Sequence, residues 1–211
     1  MRIRECPDIG RSRPVIANTS FPIDIMKKGR RNMVYVFLAE GFEEVEALTP
    51  VDVLRRCKAE VKTVGIGSKT VTGSHGITVT ADLTEDELTF DGLEGVILPG
   101  GMPGTLNLEK SLTVQKYIDH AAEKDLYICA ICAAPSILGH KGLLNGKKAT
   151  CFPGFEKDLI GAKVRSDLAV ADGRIITGKG AGAAMEFALL IAEKMCGRDI
   201  SEKTRKSLQC R

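Results

Sequence analysis

The sequence predicts an α/β fold, a parallel sheet with helices on both faces, and three observations carry that expectation. From Met33 onward, short apolar runs of strand length alternate with segments of helical length. The runs are apolar throughout, as strands buried on both faces are, where a half-exposed strand would alternate. Tight connections are plentiful, with 22 Gly in 211 residues, and 44% hydrophobic against 27% charged residues supply a sizeable core for one domain and exclude disorder.

In chain order, residues 33–39 (MVYVFLA) form the first strand. Residues 43–58 have helical spacing, with Val45, Leu48, Val51 and Leu54 expected on one buried face and Pro50 requiring a kink or a restart. A second strand follows at 60–66, then a hairpin of 70–73 and 76–80 around Ser74-His75. Thr84-Glu85-Asp86-Glu87 opens a short helix as a capping box. Strand 95–98 runs into Pro99-Gly100-Gly101, helix 111–124 follows, and strand 126–131 leads to a helix near Ala133. Strands near 148–151, 168–171 and 175–177 precede a helix of small residues over about 182–195. There is no internal repeat.

The charge is uneven. Residues 1–32 hold eight Lys/Arg and three Asp/Glu, so +5 of a net +3; residues 33–211 hold 22 against 24, so −2. The first segment carries Pro7, Pro14 and Pro22, lacks helical or strand periodicity, and has no apolar stretch of the length a secretory signal needs. Three prolines and three acids also spoil an amphipathic presequence. It reads as a disordered basic leader, or as a start placed too far upstream, with Met33 the true initiator and a single domain over 33–211. Five per cent aromatics without Trp make a poor nucleic-acid stacking platform, and no apolar stretch approaches membrane-spanning length. Neither nucleic acid nor membrane is expected as a partner.

Seven cysteines, an odd number in a chain with no export signal, point to a reduced, cytoplasmic setting. Cys129 and Cys132 form C-x-x-C, but there is no second such pair, and His75, His120 and His140 are far apart, so no metal site is expected. No cofactor motif occurs.

Chemistry in parallel sheets gathers beyond the carboxyl ends of the strands. Cys132 is the pivot of a strand that turns directly into a helix, followed by small residues and by Pro135, which suits a first helical turn. Such a cysteine is either a nucleophile whose thiolate is stabilised by backbone N–H groups or an inert buried thiol; the context alone leaves both open. Cys129, inside the strand, reads as inert. Gly100-Gly101 permits close approach of backbone, and opposite a reactive cysteine it would form half of an oxyanion hole, the Ala133 amide being the other half. Glu43, Glu44 and Glu46 crowd a helix start; dipole compensation explains one or two of them, and any that faces the sheet top would meet Cys132. A carboxyl there stays protonated beside a thiolate, donates a hydrogen bond to sulfur, and is a ready proton shuttle.

These segments, EGFEEVEA at 40–47, PVDVLRR at 50–56, VILPGG at 96–101, AICAAP at 130–135 and MEFAL at 185–189, together resemble the DJ-1/PfpI superfamily, and within it the DJ-1 and bacterial ThiJ-type branch. The likeness covers essentially all of 33–211, in order. It implies a flavodoxin-like sandwich, normally a homodimer packed through the first helix. It also implies that Cys132 is the nucleophile, Glu46 the protonated glutamate bonded to it, and Gly101 with Ala133 the amides facing an oxyanion. Glu43 matches a neighbouring acidic position. Many members carry a histidine near the elbow cysteine; here that position, before Pro153, is Phe152. With no Cys–His dyad from that strand, a protease reading is weakened, and Glu43 and Phe152 are left to shape the pocket.

A thiolate, one carboxyl and amide donors, without metal or cofactor, suit attack on small reactive aldehydes. The resemblance implies a glutathione-independent glyoxalase converting methylglyoxal to lactate, or a deglycase acting on early adducts of proteins or nucleotides. The alternative is a redox sensor or stress chaperone using an oxidisable Cys132 without turnover. A thiamine-biosynthetic role finds no nucleotide or thiazole site in the sequence.

Overall fold

The computed structural model describes residues 33–210; the expectations for the basic leader lie outside these residues. The chain runs β1 (Met33–Leu38), α1 (Glu44–Arg56), β2 (Glu60–Gly65), β3 (Thr70–Thr72), β4 (Thr78–Thr80), β5 (Leu83–Thr84), β6 (Leu93–Leu98), α2 (Gly104–Lys110) and α3 (Leu112–Glu123). It continues through β7 (Tyr127–Ile131), α4 (Pro135–His140), β8 (Lys148–Ala149), β9 (Lys163–Val164), β10 (Ala169–Asp172), β11 (Ile175–Gly178), α5 (Ala184–Cys196) and α6 (Arg198–Ser207).

Seven strands form the main sheet in the order β10-β11-β7-β6-β1-β2-β5. All neighbours pair in parallel except β10, which closes one edge antiparallel to β11. Taking β1, β2, β6, β7 and β11 in chain order, the sheet reads 2-1-3-4-5, the flavodoxin-like order with its switch point between β1 and β6. At that point the connections leave toward opposite faces, so a crevice opens beyond the strand ends.

Period-two alternation divides the core. Val34, Val36 and Leu38 join one cluster with α1 and α5, whereas Tyr35, Phe37 and Ala39 join a second with α3 and α4. Both faces of β1 are therefore apolar, which is why its run lacks polar alternation. Tyr35, Phe37 and Tyr117 pack edge-on or tilted in the second cluster. No helix among the described residues is long and apolar enough to cross a membrane.

Several expectations change. Helix α1 continues through Pro50 as one helix, and its inward face is Glu44, Glu46, Ala47, Pro50, Val51, Val53 and Leu54. Val45 and Leu48, expected inside, are 50% and 37% exposed, because the helix is turned to bring Glu46 to the sheet. The strand expected over 148–151 is reduced to the two residues of β8, which pair with β9 in a small separate sheet. Helices α2 and α6 were not legible in the hydrophobic pattern. The capping box is present, Thr84 N–H donating to Glu87 Oε2 at 2.8 Å, but it opens only a 3₁₀ turn.

Candidate active site

Strand β7 delivers Cys132 to the switch-point crevice in an unusual backbone conformation. Its φ is +66°, a left-handed value that a β-carbon disfavours and that costs on the order of 1–3 kcal/mol. Neighbouring elements hold it there: Cys132 N–H donates to Gly178 O at 2.9 Å, and Phe152 N–H donates to Cys132 O at 2.8 Å. The turn at this residue sets its Cβ against Gly100, just past the end of the neighbouring strand. Pro135 opens α4 three residues later, as the sequence suggests.

Glu46 comes from the second residue past the start of α1 and is 1% exposed. Its carboxyl shares a hydrogen bond with Cys132 and accepts one from Gly100 N–H, at 3.0 Å to Oε2. Burial pushes this carboxyl up to about 7, and the nearby Glu43 charge adds to the rise against the two hydrogen bonds. Burial and the facing Glu46 charge likewise push the Cys132 thiol up to about 12, although Ala133 and Gly101 amides bonded to it pull the other way. The amides thus act in the direction expected of the turn, but burial outweighs them. Part of the rise at Cys132 is repulsion from the Glu46 charge, which disappears when that carboxyl holds its proton, whereas the hydrogen bond with Cys132 lowers Glu46. With that proton on Glu46, the sulfur is freed of a facing charge and keeps both amide donors.

The glycine pair divides its work. Gly101 lies at φ +91° and turns its amide to Cys132 with that of Ala133. Gly100, expected to face an oxyanion, instead has its amide taken by Glu46, and its carbonyl accepts Glu43 N–H at 2.9 Å. A side chain at Gly100 would not fit, since an added Cβ would lie 2.6 Å from both Cys132 Cβ and Glu46 Oε2.

Phe152 lies beside Gly180, whose added Cβ would meet the ring at 3.1 Å and Glu46 Oε1 at 3.9 Å. The ring therefore flanks the carboxyl side of the crevice, and Phe152 is 47% exposed. Glu43 does not touch Cys132. Its carboxylate accepts from Ser74 Oγ at 3.1 Å and faces His75 Nδ1 at 3.4 Å. Glu44 accepts the His75 and Ile77 amides at 2.9 and 3.3 Å and meets His75 Nδ1 at 3.0 Å. His75, at the tip of the hairpin, is thus tied to both glutamates. The hairpin was legible, but its docking onto residues 31 positions earlier was not. His120 stacks on Phe90 and His140 pairs with Glu109. Cys129 is fully buried, and burial raises its thiol well above the ordinary range, as suits a core residue.

A cysteine on a strained strand-to-helix elbow, bonded to a buried carboxyl at the switch point of a flavodoxin-like sheet, places the molecule among α/β proteins with a cysteine elbow. The comparisons narrow this class. The model of the DJ-1/PfpI family matches residues 32–194, and the chain belongs to that family. It is 33% identical over 183 residues to protein DJ-1 homolog B of Arabidopsis thaliana, a match covering 85% of this chain and 42% of that relative. The chain thus spans less than half of that relative's length. It is 34% identical over 135 residues to a deglycase of Pyrococcus horikoshii, covering 63% of this chain and 80% of the other. Among solved structures, a cysteine-to-alanine mutant of a DJ-1 superfamily protein from Salmonella typhimurium superposes with a TM-score of 0.81 at 32% identity, covering 85% of this chain and 99% of that one.

Proposed function

We propose that the chain is a cofactor-independent cysteine enzyme acting on 2-oxoaldehydes, free or as the early adducts they form with amines. The observation that carries this reading is the buried Glu46 carboxyl bonded to Cys132 on an elbow lined by the Gly101 and Ala133 amides. The relative named a deglycase supports it.

The Cys132 thiolate adds to the aldehyde carbon of methylglyoxal, forming a C–S bond and an oxyanion that the two amides stabilise. Protonation gives a hemithioacetal. Glu46 removes the proton from that carbon and returns one to the neighbouring carbon as the electron pair of the C–H bond moves inward, leaving a 2-hydroxy thioester. Water cleaves the C–S bond, releasing lactate and the thiol. From an early adduct, the amine departs as sulfur takes its place at the same carbon, and the same hemithioacetal results. The two activities share their first intermediate and need no oxidant.

Turnover of free methylglyoxal, compared with repair of a preformed adduct after free aldehyde is removed, tests the reading. Product from either substrate supports it and assigns the preferred form. Product from neither, with stoichiometric oxidation of Cys132 by mild peroxide, would replace it with redox sensing. We place a second copy of the chain against the exposed Val45 and Leu48 of α1, the helix through which the resemblance expects dimers to pack.

A further inference from the structure

The hairpin tip between β3 and β4 is fastened to the start of α1 more heavily than a surface turn requires. Its backbone alone docks it: Gly41 N–H donates to Thr72 O at 2.8 Å, Ser74 N–H to Phe42 O at 2.8 Å, and the His75 and Ile77 amides to Glu44. Glu44 is 4% exposed and fills the space a side chain at Gly73 would need. Two side chains then add contacts that docking does not explain. Ser74 Oγ donates to Glu43 Oε2 at 3.1 Å, and His75 Nδ1, hydrogen-bonded to Glu44 Oε2 at 3.0 Å, also faces Glu43 Oε2 at 3.4 Å.

Glu43 stands one link from the reactive pair. Its N–H holds the Gly100 carbonyl, the Gly100 N–H holds the Glu46 carboxyl, and Glu46 bonds Cys132. We propose that His75, with Ser74, is a positioning residue for the Glu46–Cys132 pair: it anchors Glu43, and its imidazolium compensates the acidic charge beside that pair. The inference rests on Glu46 and Cys132 being the working pair and is independent of the substrate.

The electrostatics follow from the charges that face each group. His75 meets Glu43 and Glu44, both of which raise its basicity, and its ring is 68% exposed, so it exchanges protons with solvent. Glu46 feels Glu43, and Cys132 feels Glu46. A cationic His75 offsets Glu43 and eases formation of an anion on the pair. Loss of the ring leaves Glu43 uncompensated and held by Ser74 alone, and the pair gives up its first proton at higher pH.

The test is the pH dependence of iodoacetamide alkylation at Cys132, followed by mass spectrometry of its peptide in the full-length protein. His75→Ala should raise the midpoint by about half a pH unit, slowing alkylation about three-fold below it. His75→Arg should restore the wild-type midpoint, and Ser74→Ala should produce a smaller rise. A midpoint in His75→Ala equal to wild type overturns the proposal, and so does a variant with lowered melting temperature and an unmoved midpoint, since that marks a merely structural role. Alkylation needs no turnover, so an enzyme inactive on aldehydes would refute the proposed function and leave this result to be judged alone.

Discussion

The Glu46 charge raises the Cys132 thiol, while the hydrogen bond with Cys132 lowers the Glu46 carboxyl against the rise that burial imposes, so ionisation of the carboxyl is felt at the sulfur. The carboxyl loses its proton at about 7, so Cys132 alkylation in the wild type should show a step there, and Glu46→Gln should abolish that step. An unchanged profile in Glu46→Gln would separate the two groups. Stability follows the same proton. Between the ordinary carboxyl value of 4.5 and about 7, the folded chain retains a proton that the unfolded chain releases. Stability contributed by the neutral carboxyl is therefore full at low pH and is lost as pH rises through that window. Melting temperatures measured across the window should fall less steeply with pH in Glu46→Gln than in wild type; parallel slopes would contradict the assignment. At this scale the site was half legible. Cys132, Gly101, Ala133 and Glu46 follow from an elbow, a glycine pair and a motif, each local in sequence. The true role of Gly100 and the reach of His75 to Glu44 depend on contacts across 54 and 31 positions, which no local pattern encodes.

The site closes on the turn after β6, since the Gly100 carbonyl accepts from Glu43 N–H and the Gly100 N–H donates to Glu46. Gly100→Ala would drive a methyl group into both Cys132 and Glu46. Its kcat/KM should fall at least about tenfold, which corresponds to about 1.4 kcal/mol of lost transition-state stabilisation, with circular dichroism unchanged. Activity near wild type would show that the carboxyl can be displaced without consequence. The strands were readable because β1, β6 and β7 are buried on both faces and therefore apolar without interruption. Helix α6 was not, for an equally physical reason. Among its buried residues are Ser201 and Thr204, which dock by hydroxyl contacts, to Leu189 O at 2.8 Å and to Cys57 Sγ at 3.3 Å, while Ile200 faces outward. A helix seated by serine and threonine leaves no apolar stripe. Helix α1 misled in the opposite sense: Val45 and Leu48 have the spacing of a core face and lie outside it, because the buried Glu46 fixes the rotation.

At the scale of the molecule, those two exposed apolar residues give the proposed dimer a specific form. A sizing measurement with light scattering should report twice the chain mass for wild type and a single chain mass for the Val45→Asp/Leu48→Asp double variant; a wild-type monomer would remove α1 as an interface. The net charge of +3 also resolves into parts, +5 over residues 1–32 and −2 over residues 33–211. The proposed function joins the sheet order, the strained elbow and the buried carboxyl in one claim, that the Cys132 thiolate attacks an aldehyde at the switch point. The direct test of that claim is proton NMR of methylglyoxal incubated with wild-type protein and with Cys132→Ser. Lactate should accumulate with wild type and stay at the uncatalysed background with Cys132→Ser; lactate formed by the serine variant at the wild-type rate would contradict the account.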